Sequence, residues 1–304
     1  MEKLVATINV TCFDNIYAGV PRLPKEGEEV FSRDFTATLG GGSVATLVNL
    51  FRLGVPVEIG TFLGNDVYSQ MALAQYRAAG VEPVNFYRGT GCPVMISTAI
   101  STENERTFVS YHDAESVRLS EKKAYDFLKN AAFVYINPDY PDVNQQLKRD
   151  GAVLFFDTGI SEDYTLEKLK PTLEIADYFT PNLKEAMLLT KADSPQEALS
   201  ILSEYVKNPV IKLGGQGCLF MEEGEPVIVP EIEEFYCVDA TGAGDAFMAG
   251  LIYGVYHGYS LHECVLFGNI TGGAAVMGMG CLSKYVTQKE LLEKFHQYQT
   301  VIRR

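Results

Sequence analysis

The sequence predicts an α/β fold: a doubly wound, mostly parallel central sheet with helices on both of its faces. Short apolar runs such as LVATINV (4–10) and VEIGTFLG (57–64) alternate with helical patterns. Continuous apolar strands between helices are typical of a parallel sheet that is covered on both faces. The same pattern recurs in FVYIN (133–137), VLFFD (153–157), YFT (178–180) and PVIKLG (209–214). The length of 304 residues suits one large α/β domain or two smaller ones, and we expect a single domain over 1–304.

Helices follow from the periodicity of the apolar residues. DVYSQMALAQYRAAG (66–80) is amphipathic and ends at Gly80, a residue typical of a helix C-cap. The last third of the chain is mostly helical, with predicted helices over 244–258, 261–278 and 287–303. In doubly wound folds ligands bind beyond the carboxyl ends of the strands, so we expect the loops there to carry the chemistry.

Two segments depart from the strand–helix alternation. Residues 15–38 and 88–110 have the pattern of antiparallel strands with turns, and we expect them to pair into a small sheet beside the core. Such an appendage commonly covers an active site as a lid, and the alternative is a plain extension of the main sheet. Tyr17, Arg88 and Arg106 are candidates to face the pocket from these segments.

Charge and cysteine usage narrow the class of protein. The formal net charge of −14 opposes binding to nucleic acid and to anionic membranes. Residues 1–10 lack the pattern of a signal peptide, and no run reaches the ~18 apolar residues of a membrane helix. The six cysteines are scattered without a C-x-x-C pair, so we expect buried, reduced thiols and a cytoplasmic protein.

A glycine-rich stretch that begins at Gly40, GGGSVATLVNL, has two interpretations. Gly40, Gly42 and Ala45 fit the G-x-G-x-x-A fingerprint of dinucleotide binding, with Glu58 as the acid that would bind the ribose. That motif usually lies in the first strand–helix unit, whereas a strand and an irregular segment precede it here. The second interpretation is a helix start whose glycines let backbone N–H groups approach a ligand closely.

The stretch TGAGD, from Thr241 to Asp245, is the strongest candidate for chemistry. Unpaired N–H groups at a helix start converge on an anion when glycines precede the helix. Gly242, Ala243 and Gly244 are therefore predicted to form an anion hole for a transferring phosphoryl group. Asp245, which the helix dipole is expected to keep ionised, would accept the proton of an attacking hydroxyl. The alternative is an ordinary helix start with a favourably placed aspartate.

Two further motifs are compatible with a phosphate site. In TPNLKEAMLL, Asn182 and Glu185 have the spacing of a capping box; alternatively they line the phosphate site, with Glu185 holding Mg²⁺ through water. VIKLGGQGCLF predicts a strand, a glycine turn and a second strand. This is a plain hairpin, or a loop that places Lys212, Gly214 and Gly217 along a nucleotide.

Asp14 follows the first predicted strand. Its carboxylate can accept hydrogen bonds from vicinal hydroxyls of a sugar at that position. The Asp14–Asn15 pair is equally typical of a turn.

The order of these motifs resembles that of the ribokinase-like (PfkB) family of small-molecule kinases over nearly the full length of the chain. DATGAGDAF (239–247) is similar to the family's C-terminal signature, NLKE to its N-x-x-E motif and KLGGQG to its nucleotide loop. The resemblance implies an ATP- and Mg²⁺-dependent kinase in which Asp245 is the catalytic base and residues 242–244 form the anion hole. It also implies that Asn182 and Glu185 act at Mg²⁺ and phosphate.

The resemblance also implies roles in substrate, adenine and cation binding. Asn269 matches a residue that usually contacts adenine, Asp14 matches the sugar-binding aspartate, and Gly41 and Gly42 match the glycine pair under the sugar. Asp239 and Thr241 fall in the loop that binds a monovalent cation such as K⁺ in some members. The lid often mediates homodimers in this family.

Two departures from the family pattern leave the acceptor open. Ala45 stands where the family usually has an asparagine that reaches the substrate, with Asn49 one helical turn further on, and DTGI (157–160) replaces the common Asp-Pro-Asn. Both changes are expected on the acceptor side. We predict phosphorylation of a hydroxyl group on a sugar or related small molecule, and we expect this hydroxyl to be a primary one. A nucleoside kinase and a non-catalytic sugar or nucleotide sensor are the alternatives.

Overall fold

The computed structural model describes residues 3–103, 106–113, 117–159 and 164–302. In these ranges, nine strands form a large sheet and four form a small one. The strands of the large sheet are β1 (Val5–Ile8), β4 (Val57–Thr61), β5 (Val84–Asn85), β8 (Phe133–Tyr135), β9 (Val153–Phe156), β10 (Tyr178–Phe179), β11 (Asn208–Lys212), β12 (Cys218–Glu222) and β13 (Glu225–Val229). The small sheet contains β2 (Cys12–Ala18), β3 (Asp34–Leu39), β6 (Met95–Ser101) and β7 (Arg106–Tyr111).

The large sheet has the strand order β13-β12-β11-β10-β9-β8-β1-β4-β5. The pairs from β11 to β5 are parallel, and β12 and β13 add an antiparallel edge. Because β1 lies between β8 and β4, the chain builds one half of the sheet first and then crosses over to build the other. The predicted doubly wound fold is confirmed, and its switch point lies between β1 and β8, where such sheets bind ligands.

Helices cover both faces of the large sheet and create two apolar cores. Consecutive strand residues alternate between the cores: Phe133 and Tyr135 of β8 face one, and Val134 faces the other. The first core is packed by α1 (Ser43–Arg52), α2 (Val67–Ala78), α8 (Ala243–His257), α9 (Leu261–Ala275) and α10 (Gln288–Ile302). The second is packed by α3 (Glu121–Leu128), α4 (Pro141–Arg149), α5 (Leu166–Leu173), α6 (Leu183–Thr190) and α7 (Pro195–Ser203).

The four helices predicted from periodicity correspond to α2, α8, α9 and α10, with ends that differ by a few residues. Arg303, at the end of the last predicted helix, lies outside the described residues. Within α8, a Cβ on Gly254 would lie 2.7 Å from Cys264 Sγ, and one on Gly250 would meet Phe267 and Thr271. The small residues therefore let α8 pack closely on α9, which fixes the helix whose first turn carries Asp245.

The small sheet, with the order β3-β2-β6-β7, is built from the two segments that depart from the strand–helix alternation. Asn104 and Glu105 of the second segment lie outside the described residues. β2 with β3 and β6 with β7 are antiparallel as predicted, but β2 and β6 run parallel. Side chains alternate across this sheet, so Asp14 lies on the face toward the large sheet. The outer face carries the exposed aromatic side chains Tyr17, Phe35 and Tyr111.

All six cysteines are free thiols. Cys12, Cys218, Cys264 and Cys281 are buried, whereas Cys237 is exposed and Cys92 half-buried, so the expectation of uniformly buried thiols is wrong for these two. Burial raises the pKa of Cys218 and of Cys264 to about 12, which keeps both protonated. A reducing, cytoplasmic location remains a prediction.

None of the helices among the described residues combines the length and the apolar character that crossing a membrane requires.

Candidate active site

A cavity of about 600 Å³ opens at the carboxyl ends of the parallel strands, at the switch point of the large sheet. Its walls come from the ends of these strands, the glycine turn before α1, the start of α8 and the inner face of the small sheet. Most predicted site residues line it: Asp14, Gly41, Gly42, Asn182, Glu185, Lys212, Thr241, Gly242, Gly244 and Asp245. Ala243, Asp239, Gly214, Gly217 and Asn269 lie outside its lining.

Asp245 lies at the base of the cavity in the first turn of α8. One carboxylate oxygen accepts a hydrogen bond from the Gly42 N–H at 2.9 Å. The other faces Gly41 so closely that a Cβ there would lie 2.6 Å away. Gly42 has a φ of 97° and Gly242, the N-cap of α8, a φ of 79°, conformations that favour glycine. Two glycine motifs more than 200 residues apart therefore meet at one carboxylate.

Burial raises the pKa of Asp245 to about 7. The Gly42 N–H and the Lys212 ammonium lower this pKa, and the Asp157 and Asp14 carboxylates raise it. The helix start is expected to favour the ionised form of Asp245, but desolvation of the carboxylate outweighs the favourable contacts and raises its pKa instead. A pKa near the working pH suits a general base, which must accept a proton and later release it.

Lys212, at the end of β11, places its ammonium group beside the start of α8. Its Nζ donates to Asp157 Oδ2 at 2.7 Å, and a Cβ on Gly244 would lie 2.9 Å from it. Burial lowers the pKa of Lys212, but the carboxylates of Asp157 and Glu185 outweigh burial, so the pKa is raised. The ammonium is thus charged and lies beside the N–H groups that the sequence predicts as an anion hole.

Asp157 is held by three donors: Lys212, the Thr180 hydroxyl at 3.1 Å and the Thr158 N–H at 2.9 Å. It opens the DTGI stretch, whose Ile160 lies outside the described residues. Asp157 is the residue that DTGI shares with Asp-Pro-Asn, and its carboxylate lies with Lys212 beside α8. The departing residues Thr158 and Gly159 line the cavity, and their effect on the acceptor side remains a prediction. The sequence gives no motif for this pair, since 55 residues separate its members.

Asn182 and Glu185 form the predicted capping box at the start of α6. Asn182 Oδ1 accepts from the Glu185 N–H at 2.9 Å, and Glu185 Oε2 accepts from the Asn182 N–H at 2.8 Å. Both residues also line the cavity. Burial raises the pKa of Glu185 to about 7, an effect that Asp157 reinforces and that Lys212 and Asn182 reduce. The capping interpretation is therefore confirmed, and the role at Mg²⁺ and phosphate remains a prediction.

The glycine turn after Lys212 forms a 3₁₀ turn over Gly214–Gln216, inside an antiparallel hairpin of β11 and β12. Gly217, with a φ of 87°, packs directly on the backbone of Val229 and Pro230. The plain hairpin interpretation describes this geometry, and the contact with a nucleotide remains a prediction.

Asn269 lies behind this hairpin, on α9. Its side-chain amide donates to Val229 O at 3.1 Å and to Pro230 O at 2.8 Å, and its oxygen accepts from Cys218 Sγ at 3.1 Å. The side chain thus fixes the segment on which Gly217 packs. A direct contact between Asn269 and adenine stays a prediction.

Asp14 reaches the cavity from within β2, not from a turn. Its carboxylate lies between two thiols, with Cys12 Sγ at 3.3 Å from Oδ1 and Cys281 Sγ at 4.0 Å from Oδ2. Burial raises the pKa of Asp14 above its ordinary value. A Cβ on Gly40 would lie 2.7 Å from Asp14 Oδ1, so neighbouring glycines lie against the carboxylates of Asp14 and Asp245.

Asp239 and Thr241 form a compact polar cluster just before α8. Asp239 Oδ1 accepts from the Thr241 N–H at 3.0 Å, the Thr241 hydroxyl at 2.7 Å and Arg106 Nη1 at 2.8 Å. Asp239 Oδ2 accepts from the Gly280 N–H at 2.9 Å. Arg106 also donates to the Thr241 hydroxyl. The sequence suggests Arg106 only as a lid residue. Its contact with Asp239, 133 positions away, was not predicted.

Several other predicted positions lie away from the cavity. Ala45 is buried in the first core, and Asn49 hydrogen-bonds Arg52 beside a separate small void, so Asn49 does not compensate for Ala45. The ring of Tyr17 packs against that of Phe35 at a tilted angle, on the outer face of the small sheet. Arg88 is engaged with the backbone oxygens of its neighbours.

The dinucleotide interpretation is not supported by the geometry. The Gly42 N–H donates to Asp245, and Glu58 lies in the first half of β4, away from the carboxyl end of the sheet. Cavity residues that no local motif marks include Cys281, Ser43 and Tyr135.

Comparisons with known proteins agree with this geometry. The family model for the pfkB family carbohydrate kinases matches residues 7–288. Ribokinase of Mus musculus is 26% identical over 313 residues, covering 95% of this chain and 94% of the relative. The structure of Arabidopsis thaliana ribokinase complexed with ribose and ATP has a TM-score of 0.79 at 22% identity, over 97% of this chain and 99% of that one. The Burkholderia thailandensis nucleoside kinase in complex with inosine has a TM-score of 0.77 at 18% identity, over 96% and 97%.

The match of the family model to most of the chain agrees with the doubly wound fold and with a cavity that gathers carboxylates, a lysine and a helix start at the switch point. The chain therefore belongs to the pfkB family of carbohydrate kinases, and it is a carbohydrate or nucleoside kinase, a phosphotransferase with an alcohol group as acceptor.

Proposed function

We propose that the protein transfers the γ-phosphoryl group of ATP to a primary hydroxyl of a sugar or a closely related polyol. The acceptor oxygen attacks the γ-phosphorus while Asp245 takes the hydroxyl proton. The bond between the γ-phosphorus and the oxygen that bridges it to the β-phosphorus breaks, and ADP leaves with that oxygen. General-base assistance of this kind contributes roughly 10²–10⁴-fold to the rate.

One observation carries the choice of acceptor. The Asp14 carboxylate lies against Gly40 and the Asp245 carboxylate lies against Gly41, so both line the same cavity at neighbouring positions of one glycine turn. A small molecule on this turn can offer vicinal hydroxyls to Asp14 and a further hydroxyl to Asp245. A polyol meets this requirement, because it carries several hydroxyls on one short carbon chain.

Positive charge at the start of α8 suits the phosphoryl group. The Lys212 ammonium and the N–H groups of Gly242 to Gly244 lie together at the start of α8. In phosphoryl transfer the protein mainly positions the reactants and neutralises charge on the equatorial oxygens, which these groups are suited to do.

The donors at the cavity wall fit a hydrated Mg²⁺ ion. Glu185 and Asp157 supply carboxylates and Asn182 an amide at neighbouring strand ends, and Mg²⁺ prefers such oxygen donors while keeping several waters. Bound together with ATP, the ion would supply positive charge that neutralises the phosphates. Glu185 is the residue we assign to hold it through water.

A nucleoside is the second candidate acceptor, and a specific observation favours it. A further cavity of about 250 Å³ adjoins the first, because Asn137 and Asp139 line both. Phe62 and His112 line this second cavity, which gives an aromatic wall for a base attached to the sugar. A plain sugar would leave this space to solvent.

A panel of acceptors distinguishes these candidates. ATP consumption with pentoses, hexoses, sugar acids and nucleosides is measured at equal concentration by a coupled ADP assay. We expect turnover with a polyol that carries vicinal hydroxyls and a primary hydroxyl. Turnover confined to nucleosides would select the second candidate. Thermal shifts with ligands but no turnover across the panel would contradict the catalytic proposal and favour a sensor.

The small sheet is proposed to act as the lid of this single domain and as a dimer interface. Its inner face contributes Asp14, Met95 and Phe108 to the cavity. Its outer face exposes Val109 and Tyr111, which are 67% and 60% accessible. Contiguous apolar surface of this kind marks interaction sites. Light scattering measures the molar mass of the protein and of Val109→Asp, and we expect a dimer that the substitution weakens. A wild-type protein that is monomeric at all concentrations would contradict the dimer interface.

The resemblance implies a monovalent cation at Asp239 and Thr241, and the geometry of these two residues bears on that expectation. Both residues already bind the Arg106 guanidinium, so a cation would compete with that contact.

A further inference from the structure

The contact between Arg106 and Asp239 joins the small sheet to the loop that precedes α8. Arg106 begins β7 and pairs with Ser101 at the far end of the β6–β7 hairpin. Side-chain alternation along β7 places Arg106 and Phe108 on the same face, and Phe108 lines the cavity. The guanidinium therefore reaches from the inner face of the small sheet to the loop before α8.

The Asp239 carboxylate links three separate segments. It accepts from Thr241 within its own loop, from Gly280 in the turn after α9 and from Arg106 in the small sheet. The carboxylate is about 10% exposed, so most of its charge is shielded from water and needs an internal partner. The Arg106 guanidinium supplies that partner at 2.8 Å.

The geometry of the anion hole depends on this linked cluster. Thr241 is followed directly by Gly242, the N-cap of α8. Gly242 packs without space for a side chain on Cys281, which follows Gly280. A shift of Asp239 would therefore move both the residue before the anion hole and the turn that supports it. Small displacements of this kind have large kinetic effects, because catalytic groups must be aligned with the reacting atoms.

We propose that Arg106 is a positioning residue that couples closure of the small sheet to formation of the anion hole, and that its fixed charge at Asp239 makes activity independent of a bound monovalent cation. The inference rests on the proposed function, since it assigns the Gly242–Gly244 segment to the transferring phosphoryl group. Both Asp239 oxygens already accept hydrogen bonds, and a guanidinium offers several donors in a fixed plane. When the small sheet moves away, the carboxylate loses its counter-charge and the loop loses its anchor.

The first measurement is the cation dependence of the wild-type protein. Turnover is measured with the acceptor found in the panel, in chloride salts of K⁺, Na⁺ and choline at equal ionic strength. We expect kcat to be the same in all three salts. A wild-type enzyme that needs K⁺ would overturn the inference, because a separate ion would then hold the position.

The second measurement uses Arg106→Ala, with Arg22→Ala as the matched control. Arg22 is in the same sheet region but pairs with Glu28 at the exposed surface. We expect Arg106→Ala to lower kcat on the order of 10²-fold with a small change in the KM for ATP, because the anion hole is misaligned. Guanidinium ion, added at concentrations that leave the fold intact, should restore part of this kcat. Unchanged kcat, or a loss that guanidinium does not restore, would overturn the inference.

Two further variants keep the result interpretable. Arg106→Lys retains the positive charge but lacks the planar set of donors, so we expect it to lose kcat, although less than Arg106→Ala does. Amide hydrogen exchange over 239–244 should be faster in Arg106→Ala than in wild type without change in the core strands; equal exchange would count against the inference. Asp245→Asn is assayed in parallel. If Asp245→Asn retains turnover, the proposed function fails. If Asp245→Asn loses turnover while Arg106→Ala keeps it, only the role of Arg106 is refuted.

Discussion

The two halves of the cavity differ in how their residues are brought together. On the half that we propose for phosphoryl transfer, Gly242 to Asp245 is one helix start and Asn182 with Glu185 is one capping box. On the half that we propose for the acceptor, Asp14 comes from the small sheet and Gly41 from the turn before α1. Local geometry follows short-range rules, whereas assembly from distant segments depends on the whole fold. The chemistry of this kinase is therefore easier to infer than its specificity.

The largest expected effect belongs to the phosphoryl-transfer half. Asp245→Asn keeps the hydrogen bond from Gly42 but cannot accept the hydroxyl proton, so we expect kcat to fall by roughly 10²–10⁴-fold. Steady-state turnover with the panel acceptor measures it, with the exposed Asp126→Asn as control. Turnover close to that of wild type would remove Asp245 from its role.

Lys212→Met tests the positive charge on the same half. Loss of an electrostatic stabiliser at the transferring group is expected to lower kcat by roughly 10²–10³-fold. The matched control is Lys148→Met, which also removes a lysine paired with an aspartate at 2.7 Å but lies elsewhere. If both lysine variants behave alike, Lys212 serves only the fold.

Asp14→Asn should act on the acceptor half alone. A hydrogen bond to a charged group contributes about 1.5–3 kcal/mol, so we expect the KM for the acceptor to rise by roughly 10–100-fold. The KM for ATP should stay near its wild-type value. Initial rates with each substrate varied in turn give both constants, and an equal rise in the two would show that the halves are not separate.

The pH profile sharpens the comparison further. The base works in its ionised form, and the pKa of Asp245 is raised to about 7, so kcat/KM should rise with pH and level off above that value. Below it we expect about a tenfold loss per pH unit. Glu185 titrates in the same window, with a pKa of about 7, and the two carboxyls are coupled through Asp157 and Lys212. A flat profile between pH 5 and pH 8 in both wild type and Glu185→Gln would contradict the assignment.

The smallest expected effect concerns stability. The folded-state pKa of Glu185 is about 7, above its ordinary value of 4.5, so folding favours the protonated carboxyl. The stability from that proton is complete below the unfolded pKa and is lost as pH rises through 7. Glutamine mimics the protonated form of the side chain. The Tm of Glu185→Gln should therefore be a few degrees higher than that of wild type at pH 8, and the two Tm values should be equal at pH 5. Thermal unfolding without ATP or Mg²⁺ measures this, and a lower Tm at pH 8 would contradict it.

Much of the fold was predictable because its signals are periodic. Apolar runs marked the parallel strands, and small residues in α8 indicated the close packing on α9. The parallel pairing of β2 with β6 was not predictable, because it joins two hairpins that are far apart in the chain.

The site residues also divide into pairs that are close in sequence and pairs that are far apart. Asn182 with Glu185 and Gly242 with Asp245 are close in sequence, so their spacing marked them as candidates, and the order of the motifs along the chain favoured a site over plain helix starts. The Asp157–Lys212 pair and the Arg106–Asp239 pair join residues 55 and 133 positions apart, which no motif records. The pKa of Asp245 was misjudged for a related reason: the helix start is local, but the burial that outweighs it comes from the whole fold.

The central claim is that one acceptor molecule contacts both Asp14 and Asp245. Its most direct test measures kcat/KM for the panel acceptor and for its analogue lacking one vicinal hydroxyl, in wild type and in Asp14→Asn. We predict that removing the hydroxyl lowers kcat/KM in wild type by roughly 10–100-fold but changes it little in Asp14→Asn, because the lost hydrogen bond is the same one. Equal losses in both proteins would contradict the claim.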